Sequence, residues 1–184
     1  MKKAVFLDRD GVINRRAPEG EYITRWEDME ILPRVPEAIA LLARAGFFVL
    51  GVSNQRCVAK GLVTVNELES IHERLCRTLA AKGATITRIY YCPHENQARC
   101  ACRKPDPGML LTAARDYQID LRSSWMIGDS DVDIQAGKNA HCGTVRIGGV
   151  DATSNPQPDL FAEDLFDAAR KLLQFKFPSS VGAP

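Results

Sequence analysis

Two carboxylates in the first dozen residues, Asp8 and Asp10, stand where an apolar run, Ala4 to Leu7, gives out. Such a run reads as a short buried strand. In an open parallel α/β sheet, ligand chemistry collects at the carboxyl ends of the strands. Two acids there can divide the work on one phosphate: one attacks, the other moves a proton. Ser53-Asn54 closes a second apolar run, Lys104 precedes a helical pattern, and Asp129 closes another run at Gly128-Asp129-Ser130-Asp131. Clustered carboxylates repel one another unless a cation joins them, and hard oxygen ligands beside phosphate favour Mg²⁺. The Ser53 hydroxyl, neighbouring backbone amides and the Lys104 ammonium suit the equatorial oxygens of a phosphoryl group. Taken singly, Lys104 is an ordinary surface lysine, Ser53-Asn54 an ordinary turn and GDSD an ordinary helix cap. Their order and spacing together argue for phosphoryl transfer.

A second cluster follows. Cys92-Pro93-His94 and Cys100-Ala101-Cys102 place three thiols and an imidazole within one short stretch. That set suits a closed, tetrahedral Cys₃His zinc site, structural because it leaves no open position. It would cross-link a loop, 92–103, too short to have a core of its own. Cys76 and Cys142 read as packing residues. Cys57 lies near the predicted site and reads as inert or oxidation-sensitive. His72 and His141 read as structural or surface residues.

The elements that must position these groups alternate. Strands are expected at Ala4–Leu7, Phe47–Val52, Ile86–Tyr91, Ser124–Ile127 and Thr144–Ile147. Helices are expected at 36–45, at 64–79 behind a Thr64-to-Glu67 capping box, at 108–117, at 133–139 and at 160–173. Strand–helix–strand repetition implies parallel strands joined by right-handed crossovers. The polar stretch from Asn14 to about Pro33 leaves from beside Asp10 and is expected as a long functional loop. Residues 1–175 are expected to form one domain and 176–184 a disordered tail.

Bulk properties exclude several classes. The chain has 184 residues, 24 Lys+Arg and 23 Asp+Glu, for a formal charge of +1. This balance points to no nucleic-acid or acidic-membrane partner. No basic-then-apolar leader is recognisable, and no apolar segment approaches the ~20 residues that cross a bilayer. A soluble, cytoplasmic protein is the expectation.

DRDGVIN, VSNQ, the KP lysine and IGDSDVD resemble, in order, the four motifs of the haloacid dehalogenase (HAD) superfamily of phosphohydrolases. The resemblance covers residues 3 to about 150. It implies an α/β fold, a three-layer Rossmann-like core on a five-stranded parallel sheet. It also implies Asp8 as nucleophile, Asp10 as general acid and then base, and Ser53 and Lys104 as phosphoryl stabilisers. Mg²⁺ would be held by the Asp8 carboxylate, the Asp10 backbone carbonyl and Asp129, with Asp133 in support. YYCPH…CACRKPDPGML with SNQ…AKG looks further like the D-glycero-D-manno-heptose 1,7-bisphosphate 7-phosphatases, in the histidinol-phosphatase-like branch that lacks a large cap domain. Carried over, that likeness makes Arg103, Ser53, Asn54, Gln55, Arg56 and Ser130 pocket residues, together with Arg9. Glu19, Gly20, Glu21 and Tyr22 would close over the pocket.

The chain departs from the heptose pattern NQSGIARG at Arg56-Cys57, which replace a Ser-Gly pair. Its spacer between His94 and Cys100 is short, and its first loop is longer and carries Arg15-Arg16. Arg15, Arg16 and Arg56 could hold a second phosphate, as a bisphosphate requires, or simply be solvated. The expected activity is Mg²⁺-dependent removal of the 7-phosphate from a small phosphorylated sugar, by a monomer. The alternatives are a histidinol-phosphate phosphatase and, against the presence of both Asp8 and Asp10, a non-catalytic phosphosugar-binding protein.

Overall fold

Strand β1 (Lys3–Leu7) is buried on both faces, with Ala4 and Phe6 turned to one side of the sheet and Val5 and Leu7 to the other. Near-continuous apolar sequence is what a central parallel strand requires, because helices cover both its faces. The computed structural model describes residues 2–150 and 153–175, so the tail expected at 176–184 lies outside the described residues. The remaining elements are α1 (Val35–Arg44), β2 (Phe47–Asn54), α2 (Val65–Ala80), β3 (Arg88–Cys92) and α3 (Gly108–Tyr117). They continue with β4 (Trp125–Gly128), α4 (Asp131–Asn139), β5 (Gly143–Ile147), β6 (Leu160–Ala162) and α5 (Leu165–Gln174).

All pairings are parallel, in the order β3-β2-β1-β4-β5-β6. The order reverses between β1 and β4, so the crevice outside their carboxyl ends is the natural ligand position. One core packs Val5, Leu7, Val49, Trp125 and Ile127 against Ile39, Leu42, Leu75, Leu79, Ala168 and Leu172 from the helices. The opposite core packs Phe6, Leu50, Val52 and Met126 against Met109, Leu110 and Ala113 of α3. Helix α2 begins at the expected capping box: the Thr64 hydroxyl accepts from Glu67 N, and the Glu67 carboxylate accepts from Thr64 N at 2.8 Å.

The C-terminal end differs from expectation. Residues 160–173 are not one helix: Leu160–Ala162 pair with Val145–Ile147 as a sixth strand. The helix starts only after Asp164, whose side chain accepts from Asp167 N at 2.7 Å. A three-residue apolar run has no readable period, so it merged with the helix behind it. The loop from Asn14 to Pro33 is irregular apart from a 3-10 turn at Trp26–Asp28. Its base is closed by Arg15 N to Glu30 O at 2.8 Å and Leu32 N to Ile13 O at 3.0 Å. Among the described residues, no helix is long and apolar enough to cross a membrane.

Candidate active site

The ends of β1, β2 and β4 and the segment after β3 meet at Lys104. Its ammonium donates to Asp8 Oδ1 at 2.8 Å and to the Val52 carbonyl at 2.8 Å, and lies 2.6 Å from Asp133 Oδ1. Asn54, at the end of β2, fixes the lysine backbone from both sides: its Nδ2 donates to Lys104 O and its Oδ1 accepts from Lys104 N, each at 3.0 Å. Burial works against the charge of Lys104, yet Asp133 and Asp8 outweigh it and hold the ammonium above the ordinary lysine range.

Asp8, Asp129 and Asp133 each bring a carboxylate oxygen within 4.8 Å of the others. Burial, then the charge of Asp133, push Asp8 up to about 7 against the opposing pull of Lys104. Burial also raises Asp129, although Arg16 donates to its Oδ1 at 2.6 Å. Gly11, at a φ of +98°, makes this approach possible: a Cβ there would stand 1.8 Å from Asp129 Oδ2. Three acids facing Lys104 and Arg16 still leave surplus negative charge, and an oxygen-rich pocket of that kind fits a hard divalent cation.

Asp10 lives in a different environment. Arg9 Nη2 donates to both its carboxylate oxygens, at 3.0 and 2.9 Å, and Arg9 Nε reaches Oδ1 at 3.2 Å. Asn14 Nδ2 and Gln55 Nε2 each donate to it at 2.9 Å. Burial opposes its charge, but Arg9 and these donors hold Asp10 below the usual carboxylate range. Gln55 also donates to Ser53 Oγ at 2.8 Å, which leaves the Ser53 hydroxyl proton for an oxygen in the cavity.

The cavity over these groups holds about 200 Å³ and is lined by Asp8, Arg9, Asp10, Arg16, Glu21, Tyr22, Ser53, Asn54, Gln55, Lys104, Ser130 and Asp133, among others. Ser130 caps α4, its hydroxyl bonded to Asp133. Gly20 lines an adjoining groove of about 710 Å³ with Arg15 and Arg16, and Glu19 lines neither space. Arg103 lines a third groove that shares Asn54 and Lys104 with the cavity, and donates to His94 O at 3.2 Å. Arg56 does not line the cavity: its Nε and Nη2 donate to Tyr22 Oη at 2.9 and 2.7 Å. Arg15 is held by Glu30 at 2.6 Å, outside the cavity.

Arg9 lines the cavity, but its guanidinium is engaged behind Asp10. Its side chain is 1% exposed and its guanidinium is spent on Asp10 and His72. His72 is the residue that sequence reasoning missed. It sits on the buried stripe of α2 with Leu68, Leu75 and Leu79, a position where a histidine signals a buried partner. Cys57 is fully buried, donates to Gln55 Oε1 at 3.5 Å and is pushed up by burial, so it is inert rather than oxidation-sensitive.

The four cysteine-loop groups converge. Cys92 Sγ lies 3.6 Å from Cys100 Sγ and 3.5 Å from His94 Nδ1, and Cys102 Sγ lies 3.3 Å from the same nitrogen. For Zn–S of ~2.3 Å and Zn–N of ~2.0 Å, a tetrahedron has edges of this length.

The chain is 37% identical over 178 residues to the D-glycero-beta-D-manno-heptose-1,7-bisphosphate 7-phosphatase of Pseudomonas aeruginosa, covering 94% of this chain and 99% of that one. It is 38% identical over 176 residues to the enzyme of the same name from Pseudomonas putida, covering 93% and 99%. It belongs to the family of these HAD-like phosphatases. A HAD-hydrolase-like family profile matches residues 101–168. The crystal structure of the B. bronchiseptica D,D-heptose 1,7-bisphosphate phosphatase, complexed with magnesium and phosphate, superposes with a TM-score of 0.85 at 35% identity, over 94% of this chain and 98% of that one. The protein is therefore a HAD-type phosphoric monoester hydrolase, with the expected parallel α/β core extended by β6.

Two outcomes follow from this geometry. If Asp8 is the nucleophile that its motif implies, Asp8→Asn keeps the shape of the side chain and lowers kcat on any phosphomonoester by about 10³-fold or more while the thermal transition persists; retained turnover would refute the assignment. Burial, then the charge of Arg9, push His72 from 6.5 down to about 3, so the folded protein holds it neutral. The unfolded chain then binds the extra proton below pH 6.5, and stability falls as pH drops from 6.5 toward 3, by at most about 1.4 kcal/mol per pH unit. Urea titrations over that window should show a shallower pH slope for His72→Gln than for the wild type.

Proposed function

We propose that the protein removes the 7-phosphate of D-glycero-D-manno-heptose 1,7-bisphosphate through an aspartyl-phosphate on Asp8. The reading is carried by likeness along nearly the whole length of enzymes so named, joined to a cavity of about 200 Å³ lined by Asp8, Asp10, Ser53 and Lys104. Arg9 N and Lys104 Nζ both donate to Asp8 Oδ1, so Oδ2 is the attacking oxygen. As the Asp8–phosphorus bond forms and the phosphorus–alkoxide bond breaks, Asp10 passes a proton to the leaving sugar oxygen. The incoming phosphate places negative charge beside Asp10, which favours the protonated form needed for that transfer. Asp10, now ionised, takes a proton from the water that attacks the aspartyl-phosphate, and Asp8 is released with inorganic phosphate. The Ser53 hydroxyl and the backbone amides hold the equatorial oxygens, and the Lys104 charge beside Asp8 stabilises them electrostatically.

Asp8, Asp129 and the Asp10 carbonyl would hold Mg²⁺, with Asp133 keeping Lys104 in place. When bound, the ion supplies Lewis acidity toward the phosphoryl oxygens and the charge that keeps Asp8 ionised. Cys92, His94, Cys100 and Cys102 would hold a structural Zn²⁺, fixing the loop that carries Arg103 toward the far end of the substrate. Glu21 and Tyr22 form the rim over the sugar, and Asn54, Gln55 and Ser130 its walls. Residues 1–175 are read as one domain, acting as a cytoplasmic monomer with no nucleic-acid or membrane partner.

A comparison of kcat/KM for both anomers of heptose 1,7-bisphosphate, histidinol phosphate and fructose 1,6-bisphosphate tests the substrate. A heptose should lead by about tenfold or more; preference for histidinol phosphate would overturn the reading. Elemental analysis should find about one zinc per chain that survives mild chelation, and Cys100→Ser should lose it. A stable, zinc-free wild-type protein would refute the cluster.

A further inference from the structure

Behind Asp10 runs a buried chain of groups that the reaction as described does not use. The Arg9 guanidinium grips Asp10 through Nε and Nη2, and its remaining nitrogen, Nη1, lies 3.0 Å from His72 Nε2. Arginine can only donate, so Nε2 is the unprotonated, accepting nitrogen and Nδ1 carries the hydrogen. Nδ1 is buried and has no partner among the described residues. Around it lie the edge-on ring of Tyr91, with ring centroids 5.5 Å apart, and the apolar stripe of α2.

As a packing element this histidine is a poor choice. A leucine would continue the stripe of Leu68, Leu75 and Leu79, whereas histidine gives up solvation of two nitrogens and recovers one hydrogen bond. Its one bond falls on the only Arg9 nitrogen that Asp10 does not engage. A guanidinium is a rigid plane, so an acceptor at Nη1 fixes the rotation that Nε and Nη2 present to the carboxylate.

We propose that His72 is a positioning residue for proton transfer: acting through Arg9, it sets the orientation of the Asp10 carboxylate toward the leaving-group oxygen. The inference rests on the reading of Asp10 as the proton donor. Without the acceptor at Nη1, the buried guanidinium turns to satisfy its orphaned hydrogens, and the Asp10 carboxylate loses its paired donors and re-settles on Asn14 and Gln55.

The leaving group separates this role from a structural one. A sugar alkoxide needs a proton as it departs, and 4-nitrophenolate does not. kcat/KM, which reports the chemistry up to formation of the aspartyl-phosphate, is therefore measured with heptose 1,7-bisphosphate and with 4-nitrophenyl phosphate. His72→Leu should lose about tenfold or more on the sugar phosphate, mostly in kcat, and less than about threefold on the aryl ester. His72→Gln, whose amide oxygen can accept from Nη1, should stay within about threefold of wild type on both. Arg9→Lys cannot span Asp10 and His72, so it should reproduce the selective loss, and it carries the test if His72→Leu does not fold. Equal losses on the two substrates, an unimpaired leucine variant, or a glutamine variant no better than leucine would each overturn the proposal. A wild-type enzyme inactive on the heptose but active on another alkyl phosphate would instead refute the substrate reading, and the same comparison then runs on that ester.

Discussion

A fully desolvated ammonium set between two carboxylates is the constraint on which the rest of this structure depends. Lys104 lies within 2.8 Å of both Asp8 and Asp133, and Lys104 and Asp133 are almost wholly removed from water. Removing one partner of such a group leaves a buried, uncompensated charge, which costs far more than the pair contributes over an apolar core. The surrounding sequence is shaped to keep the triad assembled. Asn54 clamps the lysine backbone, and Gly128 leaves room for Asp133, because a Cβ there would lie 2.1 Å from the Asp133 Cβ. The four strand-end segments thus converge on one electrostatic centre as well as one sheet edge.

That centre also separates the duties of two acids only two residues apart. Asp8 faces burial and other carboxylates, which raise it; Asp10 faces Arg9, Asn14 and Gln55, which lower it despite its own burial. Paired acids in contrasting environments are how one site runs nucleophilic and proton-transfer steps side by side. The β1 turn achieves the contrast cheaply, pointing one carboxylate at Lys104 and the other at Arg9. Here lies a reason for an arginine between the aspartates: it serves the second by leaving the first to the lysine.

Asp8, Ser53 and Asp129 were legible because each interrupts an apolar pattern at a strand end, and Lys104 because it precedes a helix in the same alternation; the topology rule then brings them to one sheet edge. The cysteine loop was legible because ligand type and spacing are local. What could not be read was how long side chains turn. Arg9 lines the cavity as expected, yet its guanidinium reaches inward to a histidine 63 positions away. The partnership follows from α2 packing against the sheet, and no local pattern encodes it. β6 was hidden for a different reason: three residues do not define a period, and pairing with β5 decides their state.

Arg56 illustrates how far spacing carries a specificity argument. Its place beside the active-site turn suggested a phosphate contact, but its Nε and Nη2 close on the Tyr22 hydroxyl, and Glu95 of the cysteine loop stands 3.8 Å behind. Lys60 lies over the same ring, 5.3 Å from its centroid. As a clasp, Arg56 joins the Asn14–Pro33 loop, the β2 turn and the cysteine loop at the cavity rim. A Ser-Gly pair in its place could not span that distance. In this chain the bulkier Arg56-Cys57 pair shapes the rim: Arg56 fixes Tyr22 from outside, while Cys57 is buried and bonds Gln55. Chemistry and selection are built from different residues, joined at Gln55, which touches both Asp10 and the turn that carries the clasp.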